Sequence, residues 1–251
     1  MANFPELVGL SAAMGLSIYL ALPIVLRKAA GSRSVALLNA AAIGILVFLL
    51  ADIFGDAMMT LYPNGSYVAN AADVLYFVAA VAGSYGTLYL FEHRSREGLT
   101  PTRMALLIAA AIGFQNLTEG LVFGAFWAMG SIGLSTVIFL GFFLQNVTEG
   151  FPITSPFLAR SDFRLRTVAL IFLVGGLPTV FGGIAGYFYS NATVDLVFDS
   201  LAIGAILYSI VPMLRVAMRP AVPPESTYLR QRLLYAGLLA GFLVGFLVNA
   251  I

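Results

Sequence analysis

One short string of chemistry-bearing residues occurs twice in this chain. Gln115-Asn116-Leu117-Thr118-Glu119-Gly120 returns 30 residues later as Gln145-Asn146-Val147-Thr148-Glu149-Gly150. On an α-helix, positions i and i+4 share a face and i+1 lies beside them. Each copy therefore turns two amides and one carboxylate toward the same side. Two such faces brought together offer four amide oxygens and two carboxylates, a hard, oxygen-rich set suited to a cation. Amides alone also serve as hydrogen bonds between membrane helices, worth roughly 0.6–2 kcal/mol each. The doubling of the motif, with a Glu in each copy, is what argues for a site. Thr118 and Thr148 are placed to bond back to their own helix backbone. Pro152, four residues after Thr148, lacks the N–H that the Thr148 carbonyl would bond.

The elements that carry these residues are apolar. Of 251 residues, 60% are hydrophobic and 10% are charged, and the net charge is +1. A soluble domain carries roughly 25% charged residues. This composition excludes a soluble enzyme, a disordered chain and a nucleic-acid binder. There is no Cys and one His, so neither a disulfide framework nor a multi-histidine metal cage is available within one chain. A membrane helix needs about 20 mainly apolar residues, and eight runs qualify: 7–26, 35–62, 72–91, 104–130, 131–159, 167–189, 194–216 and 233–250. The expected fold class is an all-α polytopic membrane protein in which residues 1–251 make a single transmembrane domain. The opening residues do not read as a signal peptide, because no basic stretch precedes the first apolar run.

The loops set the orientation. Arg27, Lys28 and Arg33 follow span one. Arg94, Arg96 and Arg103 follow span three, and Arg160, Arg164 and Arg166 follow span five. Arg215 at the end of span seven, and Arg219, Arg230 and Arg232 before span eight, complete the set. These are all 13 basic residues, and the alternate loops hold none. The positive-inside rule makes the basic loops cytoplasmic and puts both termini outside the cell membrane.

Carboxylates inside such spans are costly, roughly 2.5–3.5 kcal/mol at a helix centre on the insertion scale. Glu119 and Glu149 fall mid-span. Asp52 and Asp56 lie in the outer half of span two. Asp199 lies inside span seven, with Asp195 nearer its outer mouth. No Lys or Arg sits at matching depth, so the deep acids are either protonated or balanced by bound cations. For Asp195 and Asp56 a protonated, structural role fits as well as a ligating one.

At the repeated motif the chain resembles the ZIP (Zrt-/Irt-like) family of divalent metal transporters, in particular its GufA-like branch. Family members have eight spans, both termini outside, a fourth span typically reading His-Asn-x-x-Glu-Gly, and a fifth often reading Gln-Asn-x-Pro-Glu-Gly. Weaker similarity lies at Gly176-Leu177-Pro178 and at Ala205-Ile206-Leu207-Tyr208. The resemblance implies an inverted repeat of spans one to three and six to eight around spans four and five. It also implies a midplane metal site made by Gln115, Asn116, Glu119, Gln145, Asn146 and Glu149. Gln115 stands where the family has His, Thr118 and Thr148 stand in place of Pro, and Thr179 stands where many members carry a bridging Glu. Asp52, with Asp56 a turn beyond it, is available to supply a carboxylate that the other helices lack.

The function expected from these residues is zinc, iron or manganese-class metal ion transport toward the cytoplasm. The divalent ion (Zn, Fe, Mn, Co or Cd) is the substrate, no organic cofactor is involved, and the other partners expected are the lipid bilayer and, in a homodimer, a second copy of the chain. A protein of the same fold that binds or senses metal without transporting it is the alternative. An enzyme is not expected: there is no Ser–His pair, no His-Glu-x-x-His and no paired-Asp protease signature. Gly237, Gly241 and Gly245 form a small-residue stripe that fits two uses, packing within the chain or a homodimer seam. The topology has a direct check, since any introduced Cys is the only one in the chain. With single-Cys labelling in whole cells, Ser95→Cys should resist a membrane-impermeant thiol reagent and Asn191→Cys should react. The reverse pattern overturns the orientation.

Overall fold

The computed structural model describes residues 3–23, 32–63, 66, 68–93, 100–130, 132–158, 163–189, 191–217 and 224–250. Arg27, Lys28, Arg94, Ser95, Arg96, Arg160, Arg219 and Asn64 lie outside these residues, as do positions 24–26, 131 and 159 of the expected spans. Every described element is helical, and there is no strand among the described residues. The helices are α1 (Phe4–Leu16, continued by a 3-10 turn over Ser17–Ala21), α2 (Ser32–Leu61), α3 (Ala71–His93) and α4 (Pro101–Ala128). They continue as α5 (Ile132–Thr154, then a 3-10 turn over Ser155–Phe157), α6 (Leu165–Phe188), α7 (Ala192–Ala217) and α8 (Pro224–Asn249). Eight of eight are long and apolar enough to cross a membrane. The chain is an all-α, integral, multi-pass membrane protein. Helices are the natural solution here, because a bilayer core has no water to satisfy exposed N–H and C=O groups. Span eight begins earlier than its apolar run implies: the helix starts at Pro224, so Arg230 and Arg232 lie on it, Arg232 with its guanidinium 5.2 Å from the Tyr228 ring.

Neighbour relations follow a pseudo-two-fold pattern. Exchange α1 with α6, α2 with α7, α3 with α8 and α4 with α5, and the packing pairs map onto one another: α2–α8 onto α7–α3, α4–α6 onto α5–α1, and α4–α7 onto α5–α2. The pairs α1–α6, α2–α7 and α4–α5 map onto themselves, and the α5–α8 contact is the chief departure. Exchanged helices are an odd number of spans apart, so they run in opposite directions, as an inverted repeat requires. The two motif helices are not equivalent in burial. In an 18-residue apolar stretch of α4, 72% of the residues are buried, against 28% in the matching stretch of α5. The first is a central strut, and the second presents one flank outward through Ile132, Leu134, Val137 and Leu140. The turn between them passes through Gly130, whose φ of 72° favours glycine.

Close backbone approach explains the central strut. A side chain on Gly182 would strike the Leu117 carbonyl, one on Gly186 the Leu121 carbonyl, and one on Gly120 the Thr179 carbonyl. Glycines thus let α4 and α6 pack main chain to main chain, where small residues bring membrane helices together. The span-eight stripe has the same job. Gly237 meets Ala40, Gly241 meets the Ala41 carbonyl and Gly245 meets Phe48, so the stripe is consumed in packing α8 on α2 within the chain. Gly241→Val should therefore lower the thermal unfolding midpoint in detergent, with a cost of about 1–3 kcal/mol. Gly83→Ala, which meets nothing within 4 Å, should leave the midpoint unchanged or raise it, with a gain of up to about 1 kcal/mol. Equal effects at the two positions would overturn this reading of the seam.

Candidate functional site

Both copies of the motif lie on helices, on facing sides. Gln115, Asn116, Glu119, Gln145, Asn146 and Glu149 are all buried, Glu149 completely. Glu119 is the hub. Its Oε1 accepts from Gln115 Nε2 at 3.1 Å within α4 and from Gln145 Nε2 at 2.7 Å across to α5. Its Oε2 accepts from Asn146 Nδ2 at 3.5 Å. Gln145 Nε2 also donates to Glu149 Oε1 at 3.4 Å, repeating in α5 the i to i+4 pairing of Gln115 with Glu119. Asn116 Nδ2 donates to Asn146 Oδ1 at 2.7 Å and to the Gly175 carbonyl of α6 at 3.0 Å, so one amide ties three helices. The two threonines do bond back to their own helices, Thr118 to Phe114 O at 3.4 Å and Thr148 to Gln145 O at 2.7 Å.

The donors of this network are used, and several acceptors are not. Gln115 Oε1, Asn116 Oδ1 and Glu149 Oε2 are buried without a hydrogen-bond partner. A buried acceptor left unmade costs about 1–3 kcal/mol. Three of them around two carboxylates form a local excess of electron-rich oxygen.

Beside the network is a cavity of about 160 Å³ lined by α2, α4, α5, α7 and α8. Gln115, Glu119 and Gln145 form its inner wall, and Asp52 and Asp56 bring two carboxylates from α2. Asn116, Asn146 and Glu149 do not line it and sit behind that wall. Of the eight candidate ligands, five therefore face the cavity and three lie one layer deeper. Among the lining residues outside the candidate set, two are polar groups brought in by α7 and α8. Asp199 of α7 is 7% exposed and turns into the cavity, and Asn249 in the last turn of α8 donates to Asp52 Oδ1 at 2.7 Å. The acid inside span seven was the signal for Asp199, but placing it required the packing of α7 on α2 and α4. Asn249 carried no signal. Asp195 is half-buried and does not line the cavity, and neither does Thr179, which is fully buried in the seam with Gly15 and Gly120.

The lining holds four carboxylates and no Lys or Arg. Among the described residues, no three acid or imidazole side chains stand close enough together to hold a metal ion unaided. Any cation held here must take amide oxygens, backbone carbonyls or water as its further ligands. No protein-family model matches this chain, and no curated protein matches it either.

The network makes a stability prediction that needs no ligand. Asn116→Ala cuts the α4–α5–α6 tie and should destabilise the purified protein by about 1–2 kcal/mol. Glu149→Gln replaces an oxygen that has no donor with an amide and should leave the unfolding midpoint unchanged or raise it. A large loss in Glu149→Gln would show that Glu149 is structurally paired.

Proposed function

We propose that the chain transports divalent metal cations across the cell membrane toward the cytoplasm, with the motif pair as its site and the cation as its substrate. The observation that carries this reading is the surplus of unpartnered acceptors, Gln115 Oε1 and Asn116 Oδ1, buried with the carboxylates of Glu119 and Glu149 beside an acidic cavity. The motif's resemblance to the ZIP family and the thirteen-to-zero bias of basic residues between alternate loops support the same reading, including its direction.

The residues present suit a switchable ligand set. An amide carries donors on one side and an acceptor on the other. Gln145 turns its NH₂ to Glu119 and Glu149, which puts a donor between two carboxylates. Rotation about the terminal torsion presents the oxygen instead, and the carboxylates then face the cation directly. Two negative charges in a medium of low dielectric reward a doubly charged ion over a singly charged one. Oxygen ligands favour harder ions than imidazole does, so Gln115 in place of His shifts preference from Zn²⁺ toward Mn²⁺.

Uptake into proteoliposomes tests this and separates transport from mere binding or sensing. Glu119→Ala and Glu149→Ala should each abolish uptake of Mn²⁺ and Zn²⁺ while the protein still folds. Gln115→His should raise the Zn²⁺ to Mn²⁺ uptake ratio roughly tenfold, a difference of about 1.4 kcal/mol. Cation binding without uptake in the wild type would favour the sensing alternative. Wild-type uptake in either Glu variant would remove that residue from the site.

A further inference from the structure

α8 starts at Pro224, well before its apolar run at 233, so its first turns reach past the hydrocarbon on the side of the basic loops. Residues at i, i+3, i+4 and i+7 share a helix face. Tyr228, Arg232, Tyr235 and Leu239 fall on one such face, Leu243 and Phe246 continue it, and all six are exposed. The seam with α2, at Gly237, Gly241 and Gly245, lies on another side of the helix. The exposed stripe is graded along its length. Arg232 stands at the edge of the apolar run, its guanidinium 5.2 Å from the centre of the Tyr228 ring. A ring face attracts a cation, and that contact fixes the guanidinium while leaving its N–H donors unspent. Such donors match the oxygens of a phosphate. From Leu239 to Phe246 the stripe is apolar for about 10 Å at 1.5 Å per residue, two-thirds of the roughly 15 Å of hydrocarbon in one leaflet. Two more arginines come to the same level. α2 and α8 run in parallel, since Gly237 meets Leu37 and Ala40 while Gly245 meets Phe48. Arg33 precedes Leu37, and Arg230 and Arg232 precede Gly237, by one to two turns each. In the sequence, this side of the membrane holds all thirteen basic residues against the acids Glu92, Glu97, Asp162 and Glu225.

We propose that this face of α8 binds an anionic phospholipid of the leaflet on the basic side, with Arg232 on the headgroup phosphate and an acyl chain along Leu239, Leu243 and Phe246. Tyr228 is a positioning residue: it holds the Arg232 guanidinium at the level of the headgroups, where the rings of Tyr228 and Tyr235 also sit most favourably. Arg33 and Arg230 add positive charge at that depth, and basic residues beside a membrane favour anionic lipid. A zwitterionic headgroup carries an ammonium that the same charges repel. Free phosphate offers the same oxygens but leaves the apolar track unused, and the continuity of donor and track is what selects a lipid. The site lies at the opposite end of α8 from Asn249 and the cavity, and nothing in it depends on transport.

A ligand that binds only the folded state raises the unfolding midpoint. The full chain in neutral detergent is therefore titrated separately with phosphatidylglycerol, phosphatidylcholine and inorganic phosphate while the thermal midpoint is read. Phosphatidylglycerol should stabilise saturably, and the other two should not. Its half-saturating concentration should rise at least fivefold in Arg232→Gln and about threefold in Tyr228→Leu, which keeps every charge. It should change less than twofold in Arg166→Gln, which removes an exposed arginine of α6 from the same side. Equal losses in Arg232→Gln and Arg166→Gln would mean diffuse surface charge and overturn the site. Stabilisation by phosphatidylcholine to the same extent overturns it too, as does stabilisation by inorganic phosphate at the same concentration. If Arg232→Gln does not fold, Tyr228→Leu decides: a greater loss than in Arg166→Gln supports the stacked arginine, and an equal or smaller one overturns it. No metal ion enters these measurements, so this reading and the transport reading fail separately.

Discussion

Glu119 accepts hydrogen bonds from the side chains of both motif helices, and much of the rest of the molecule serves to keep that carboxylate where it is. In water such a group would be indifferent to its neighbours. In a bilayer there is no solvent to take their place, so three amides must be brought to it. One comes from its own helix and two from α5. The result is a polar knot in an apolar bundle, and Asn116 extends it to the main chain of α6 at Gly175.

Backbone contact is what makes such a knot rigid. The glycines of α6 meet α4 without intervening side chains, and Gly15 of α1 meets Gly176 in the same way. A helix held at main-chain distance has little freedom to rotate, so the face that bears Gln115, Asn116 and Glu119 has one direction to point. α5 is held less firmly, with one flank outward, and it carries both Pro152 and the second copy of the motif. The site therefore joins one fixed wall to one less constrained wall. Proteins that bind and release a ligand draw their moving parts from less tightly packed elements.

The acids divide the site by depth. Glu149 is wrapped completely and has an oxygen with no donor, whereas Asp56 reaches the exposed end of the cavity. Between them Asp52 and Asp199 face each other's helices across α2 and α7, the pair that the pseudo-two-fold exchange maps onto itself. With no basic residue in the lining, this arrangement is electrostatically unfavourable when empty and ionised. A bound cation or proton relieves it.

The number of helices, their approximate limits and the two faces on which the motif lies can all be read from the residues. Each of these is a local property. Bilayer thickness sets helix length, the loss of solvent forces helical backbone, and 3.6-residue periodicity aligns Gln115 with Glu119 and Gln145 with Glu149. Which of those polar groups meet the cavity and which sit behind it depends on how the helices pack. That packing alone brought in Asp199 and Asn249, which are far from the motif in the chain, and it alone assigned the glycines of α8 to α2. The physical reason is that membrane helices of this kind are apolar on all sides. Hydrophobicity then says little about which face turns inward, and main-chain fit at glycine, together with a few buried amides, settles the choice.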